Sequence, residues 1–431
     1  MSNAMQHLAA GTLQPWRKRN APLAALDVGG GRVCCMIAAP RKDGAFDVLG
    51  LGHRVAQGLR GGAIVDFQAI QGSILAAVHE AEQMAGMVLR QVVAVTSVGC
   101  PHSQSLDLSL KLNGRPVGAH DVTRLLIAGR ARAADQEHAV LHTLPGTVSI
   151  DGRRTVREPR GLRGADLGVG AVVARSSLAP LRQLIGCIES CHLKVENVVS
   201  SAYASAYACL TREEMEFGAI LIDMGADVTG IAVFGDGRLH GVDTVPLGGA
   251  HVTRDLAFGL RTSRYFAERL KAVYGSCQIR ASDERQKVIV HRIGEDGDAE
   301  RGEEARARLT DVIRPRLQET FAMVQGRIRE MASLPTLTTR SHIVLAGGAS
   351  QLDGVSEFAQ ETFNMSVRLG RPGFLARADG KSEDAASFAA VAGALALTAG
   401  SDGGLAYQDP GGSALLPPRW ARLSQWWREI F

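Results

Sequence analysis

Residues Leu23–Pro40 read LAALDVGGGRVCCMIAAP. An apolar run closes on Asp27, three glycines follow (Gly29, Gly30, Gly31), and a second apolar run extends from Val33 to Ala39. That order predicts a strand, a tight turn and a returning strand, because glycine enters a turn at no side-chain cost. The pattern recurs at residues 218–239, GAILIDMGADVTGIAVFGDGRL: an apolar run ends at Asp223, Gly225 opens the turn, and Ile231–Phe234 returns. The separation of Asp27 from Asp223 far exceeds any solenoid period, so the two copies point to a duplicated α/β lobe. A strand ending in aspartate and turning through glycine can offer backbone N–H groups to phosphate oxygens, and its carboxylate can hold Mg²⁺ through water. One such turn is ordinary hairpin grammar. Two of them, with Gly347 and Gly348 ending a third apolar strand (HIVLAGG, 342–348), point to a nucleotide between two lobes.

Outward from these hairpins, Phe67–Ala85 sets Ile70, Ile74, Leu75, Val78 and Ala81 at helical spacing, and VVAVTSVG (92–99) reads as a buried strand. The texture changes between Pro101 and Ala174, with Leu106, Leu108, Leu110 and Leu112 alternating, a helical stretch at 122–134 and a turn-rich segment after it. This predicts a small α+β insertion at 101–174 that divides the first lobe into 22–100 and 175–215. The second lobe then covers 216–399, with a helical subdomain near 241–335. Within it, residues 281–309 are charge-dense and predict an exposed loop with one short strand at 288–293, followed by a long helix at about 310–332.

The 431 residues, 45% hydrophobic and 21% charged, describe an ordinary globular chain of two or three domains. A net charge of +4 spread along the sequence gives no footprint for nucleic acid. The seven cysteines lack CxxC spacing, which argues for a reducing compartment and against a disulfide framework or a structural zinc site. Cys187 and Cys191 read as buried thiols on one helix, and His142 as a fold residue. The first 21 residues lack a secretory apolar region, and Ser2, Asn3 and Ala4 before Met5 resemble a cloning remnant.

Aromatic residues make up only 5% of the chain, yet three of its four tryptophans lie at its end. Residues 400–418 hold five Gly, three Pro and two Ser, the composition of a flexible linker. In 419–431, RWARLSQWWREIF, the residues Trp420, Leu423, Trp426, Trp427, Ile430 and Phe431 fall on an arc of about 140° of a helical wheel. Arg419, Arg422 and Arg428 add positive charge. Such a helix fits the headgroup plane of an anionic membrane; a terminal helix docked on the protein's own core is the plainer alternative.

LDVGGGRV, LIDMGADVTGIAVF and HIVLAGGASQLDGVSEFA resemble the phosphate-one, phosphate-two and adenosine motifs of the actin, sugar kinase and DnaK-type ATPase superfamily. The fuller set resembles the FtsA family of bacterial cell-division proteins from about Leu23 to Leu397. It adds GLRGGAIVDFQAIQGSI, LHTLPGTVSIDG, PRGLRGADL, PLGGAHVTRDLAFGL and AERLKAVYG. The resemblance implies a two-lobed actin-like ATPase fold with a small α+β inserted subdomain and a C-terminal amphipathic helix. It implies ATP and Mg²⁺ held by Asp27, Gly29, Gly30, Gly31, Arg32, Asp223, Gly225, Gly248, Gly249, Glu268, Lys271, Gly347 and Gly348. Asp27 and Asp223 would reach the metal through water, and Glu268 and Lys271 the nucleoside, unless these two merely line a solvated helix face. It further implies self-assembly into filaments, partnership with FtsZ and other division proteins, and a peripheral place at the septum on the cytoplasmic side of the inner membrane. The insertion at 101–174 interrupts the first lobe yet holds no nucleotide motif, so it is expected to serve self-association or partner contact.

The chain departs from the family pattern at several points. Gly30 and Gly31 stand where hydroxyl residues are usual, and Arg32 where lysine is. In the second loop Ala226, Asp227 and Val228 replace a glycine and threonine run, and Gly230 takes a commonly polar place. Asp227 sets a carboxylate near phosphate oxygens, a repulsive arrangement unless a cation intervenes. Between Ser200 and Ala206 only serines and Tyr203 are available as polar groups, so no general base is in view. These departures predict weak or absent hydrolysis. An actin-like pilus or secretion assembly factor, or a small-molecule kinase of the same superfamily, stays open as an alternative.

Overall fold

The computed structural model describes residues 21–41, 44–118, 120–153, 158–278, 280–293, 299–331, 341–373, 375–376 and 383–400. The linker and amphipathic helix expected beyond residue 400 lie outside the described residues.

Asp27 and Asp223 occupy matching places in two sheets of the same plan. The first runs Lys194–Ser200, Gln91–Thr96, Leu23–Val28, Arg32–Pro40, Phe46–Val55 and Leu375–Ala376. The second runs Val367–Leu369, His342–Ala346, Ala219–Met224, Thr229–Gly235 and Arg238–Val245. In each, three antiparallel strands from consecutive hairpins are extended by parallel strands reached through helical crossovers. Asp27 pairs antiparallel with Cys34 and parallel with Val95, and Asp223 antiparallel with Gly230 and parallel with Ala346. The duplication read from the two hairpins is therefore a duplication of topology.

Strand periodicity sorts the core into layers. Leu23 and Ala25 face a cluster shared with Leu221, Ala232 and Val344 of the other sheet, whereas Ala24 and Leu26 face the Phe67–Ala85 and Leu178–Ser190 helices. Ile220 and Ile222 face the opposite way from Leu221, onto Val252, Leu256, Phe321 and Phe358 of the second lobe's helices. Two alanine-rich helices, Ser201–Cys209 and Ala389–Gly400, fill the space between the lobes. They pack so closely that a Cβ on Gly393 would lie 1.8 Å from the Ala204 carbonyl oxygen. The Leu375–Ala376 edge strand and the Ala389–Gly400 helix return the chain to the first sheet, within the stretch read from sequence as the second lobe.

The Phe67–Ala85 helix has the expected span, opened by the Asp66 side chain accepting from the Ala69 N–H and closed by left-handed Gly86. Leu75 is an exception to its expected face: it is 45% exposed, and Ser73 and Ala77 are buried instead. The insertion is a three-stranded antiparallel sheet, His102–Lys111, Asp166–Ser177 and His138–Ile150, backed by the Asp121–Ala133 helix. Leu112, Val122, Leu126, Val148 and Leu167 give it its own core. Although it interrupts the first lobe in sequence, it docks on the second. Ser103 Oγ donates to the Val242 carbonyl (3.0 Å) and accepts from the Val242 N–H (2.9 Å), and Thr244 Oγ1 donates to the Pro101 carbonyl (2.7 Å).

The short strand expected at 288–293 is present as Lys287–Ile293, but a second strand, Ala299–Ala305, stands where only loop is expected. Lys287–Ile293 pairs antiparallel with Ala299–Ala305, and Arg292 meets Glu304 across the ribbon. The long helix starts earlier than expected, at Arg306, runs to Met331 and contains Pro315.

Candidate functional site

The two aspartate hairpins turn in the same way and meet. The Gly29 N–H donates to the Arg32 carbonyl (3.0 Å), and the Gly225 N–H to the Val228 carbonyl (3.1 Å). A Cβ on Gly30 would fall 2.3 Å from Asp227 Oδ2, and one on Gly31 2.8 Å from Ala226 Cβ. The first turn thus lies against the second, and Gly30 and Gly31 are required by that contact.

Asp27 and Asp223 each stand one residue before the C-terminal end of their central strand at this junction. Burial pushes the Asp27 carboxyl up to about 7; the nearby Asp223 carboxylate adds to the shift, and Arg32 opposes it. Burial also raises Asp223, against the pull of hydrogen bonds from Ser205 and Ser201 and of the Arg32 charge. Ser205 Oγ donates to Asp223 Oδ2 at 3.0 Å. A pair of acids, one buried and one partly buried, held above their ordinary range favours a proton or a cation nearby. Arg32 is only partly available for this task, since its guanidinium donates to the Ser387 carbonyl and lies 4.5 Å from the Phe388 ring centre.

Gly347 closes the floor. Its φ is +83°, and a Cβ there would lie 2.5 Å from both Asp223 Oδ1 and the Met224 carbonyl oxygen, so both backbone and space exclude a larger residue. Around Gly348 there is room, with Ser387 Oγ the nearest atom at 3.8 Å from a built Cβ. On the other side Gly248 and Gly249 begin the Gly249–Gly259 helix. The N–H groups of Gly249 and Ala250 donate to the Gly225 (2.9 Å) and Ala226 (2.8 Å) carbonyls, fixing the second turn to the helix. Lys271 Nζ donates to the Gly249 carbonyl (3.0 Å), Thr253 Oγ1 (2.8 Å) and Glu268 Oε2 (2.8 Å). Lys271 is largely buried by these contacts, whereas the Glu268 side chain is 57% exposed. The structure therefore brings Asp27, Gly29, Gly30, Gly31, Arg32, Asp223, Gly225 and Gly347 into one junction, with Gly248, Gly249, Glu268 and Lys271 along one wall.

Sequence reasoning missed three participants. Ser201 and Ser205, four apart on one helix face, both hold Asp223, a spacing that could have flagged them. Gly61, in the turn between two short strands, donates its N–H to Asp227 Oδ2 at 2.7 Å. No local signal predicts that contact. His142 accepts from the Ser200 N–H (3.1 Å) and packs on Tyr203; burial and the Arg130 charge push it down to about 3, so it is neutral and structural. Cys187 and Cys191 are buried.

Residues 220–393 match the family model described as cell division protein FtsA, and residues 100–174 match that of the SHS2 domain inserted in FtsA. The FtsA of Agrobacterium fabrum is 38% identical over 365 residues, 82% of each chain. Among solved structures, the PilM–PilN type IV pilus biogenesis complex aligns with a TM-score of 0.64 at 17% identity, over 88% of this chain and 98% of that one. MreB5 of Spiroplasma citri bound to ADP aligns with a TM-score of 0.51 at 13% identity, over 88% and 96%. At such identities these structures share the two-lobed actin-like ATPase fold alone, so the first of them does not favour the pilus reading. With the lobes, the inserted subdomain and a relative at 38% identity in agreement, the chain belongs to the FtsA family of cell-division proteins.

Proposed function

We propose that the protein binds ATP with Mg²⁺ between its lobes, self-assembles, and holds FtsZ filaments at the cytoplasmic face of the inner membrane through residues 419–431. The observation that carries the nucleotide part is the meeting of two carboxylates, partly buried Asp27 and buried Asp223, both raised by desolvation, at a junction of two glycine turns. The acids fit a hydrated divalent cation. The turns fit phosphate oxygens less completely, because the Asp227 carboxylate stands between them. Backbone N–H groups of residues 30–31 and 226–228 would receive the phosphates, with Gly29 and Gly225 shaping the turns through their own N–H bonds; Asp27 and Asp223 would orient the metal's waters, and Glu268 with Lys271 would meet the nucleoside. Bound there, the nucleotide supplies negative charge and a metal that link the lobes. The nucleotide in the MreB5 structure, on the same fold, agrees with this use of the site.

Membrane attachment rests on the composition of 419–431. Burying part of three Trp, one Leu, one Ile and one Phe contributes several kcal/mol at about 25 cal/mol per Å², and each arginine adds about 1 kcal/mol near an anionic surface. Co-sedimentation of FtsZ with anionic vesicles tests the whole reading. FtsZ should pellet only when this protein is present, and the double change Trp420→Glu and Trp427→Glu should release both. Unchanged pelleting of the double variant would remove the tether from the function.

A further inference from the structure

Asp227 belongs to the second lobe, yet its carboxylate lies inside the first lobe's glycine turn. Oδ2 accepts from the Gly61 N–H at 2.7 Å, and a Cβ built on Gly30 would fall 2.3 Å from that oxygen and 2.4 Å from Cγ. The flanking residues keep the same closeness: Ala226 Cβ is 2.8 Å from a Cβ built on Gly31, and Val228 Cγ1 is 4.0 Å from one built on Gly62. An anionic oxygen received by a backbone N–H and seated against glycine is the manner in which a phosphate oxygen is received. We infer that Asp227 is an internal stand-in for a phosphate group. Its carboxylate bridges the lobes between the two turns, and a polyphosphate enters only as the carboxylate withdraws, since two anions do not share one seat.

This inference rests on the nucleotide reading above and adds to it that Asp227 sets how tightly phosphate-bearing ligands bind. Asp227→Ala removes both the charge and the bridge. Asp227→Asn removes the charge but keeps an oxygen for Gly61. Titration of the full chain with MgATP should show about tenfold or tighter binding for Asp227→Ala, equivalent to ~1.4 kcal/mol, and a smaller gain for Asp227→Asn. Adenosine, which carries no phosphate, should bind parent and variants alike. Hydrogen exchange at residues 58–62 should quicken in Asp227→Ala and stay slow in Asp227→Asn. If the alanine variant does not fold, the asparagine variant carries the test.

MgATP affinity that is unchanged or weaker in the variants, beside intact adenosine binding, overturns the inference and leaves the nucleotide reading standing. Absence of binding by either ligand to any of the three proteins sinks the nucleotide reading, and the displacement with it.

Discussion

Asp27 couples the site to pH. Its folded-state affinity for a proton, about 7 against 3.8 for an ordinary aspartate, means the folded protein holds this proton more tightly than the unfolded chain does. Stability from this group is therefore fully present below 3.8 and is lost as pH rises through 7. Asp27→Asn, which mimics the protonated acid, should raise thermal stability at pH 8 by up to ~4 kcal/mol, with the gain shrinking as pH falls towards 4. Melting curves at the two pH values in the absence of Mg²⁺ and nucleotide check this; equal gains at both would mean that Asp27 is not the group responsible. At this scale the sequence was readable where chemistry repeats. Asp27, Asp223 and Gly347 each end an apolar run and lie together at the junction. Ser201 and Ser205 were readable only as a pair four apart on one helix face, with nothing to say which carboxylate they hold; Gly61 was not readable, because it reaches Asp227 from a distant segment that carries no mark of it.

Between the lobes, the Ser201–Cys209 and Ala389–Gly400 helices meet through small residues, and Gly393 is the tightest point. Replacing a helical glycine by alanine ordinarily stabilises by about 0.5–1 kcal/mol. At Gly326, in the Arg306–Met331 helix with nothing within 4 Å of a built Cβ, that gain is expected. At Gly393 the methyl would meet the Ala204 carbonyl at 1.8 Å, so overpacking of about 1–3 kcal/mol prevails and the sign reverses. Urea unfolding of Gly326→Ala and Gly393→Ala should shift in opposite directions; stabilisation by both would show that the helix contact is loose. Strands and helices with clean apolar periods, such as Leu23–Val28 and Phe67–Ala85, were legible in advance. The Ala299–Ala305 strand was not, for AERGEEA has no strand pattern of its own and is held by pairing with Lys287–Ile293. The return of the Ala389–Gly400 helix to the first sheet was equally hidden, because a helix apolar on nearly every side does not say which layer it joins.

Across the whole molecule, the inserted subdomain joins two levels of organisation. It has its own core and is tied to the second lobe by Ser103, Thr244 and Arg238, the last donating to the Gly146 carbonyl at 2.7 Å. Deleting 101–174 should leave a folded core that still binds MgATP while removing assembly on anionic vesicles, as seen by sedimentation and electron microscopy. Filaments of parent appearance from the deleted protein would assign assembly to the lobes instead. The duplicated lobes and the site between them bear on one direct measurement, calorimetric titration of the full chain with ATP in the presence and absence of Mg²⁺. Two desolvated acids facing two glycine turns predict one site per chain whose affinity depends on Mg²⁺ and falls at least tenfold, about 1.4 kcal/mol, in both Asp27→Ala and Gly347→Val. Binding that is indifferent to Mg²⁺ and to both substitutions, or no binding at all, would contradict a nucleotide cleft between these lobes.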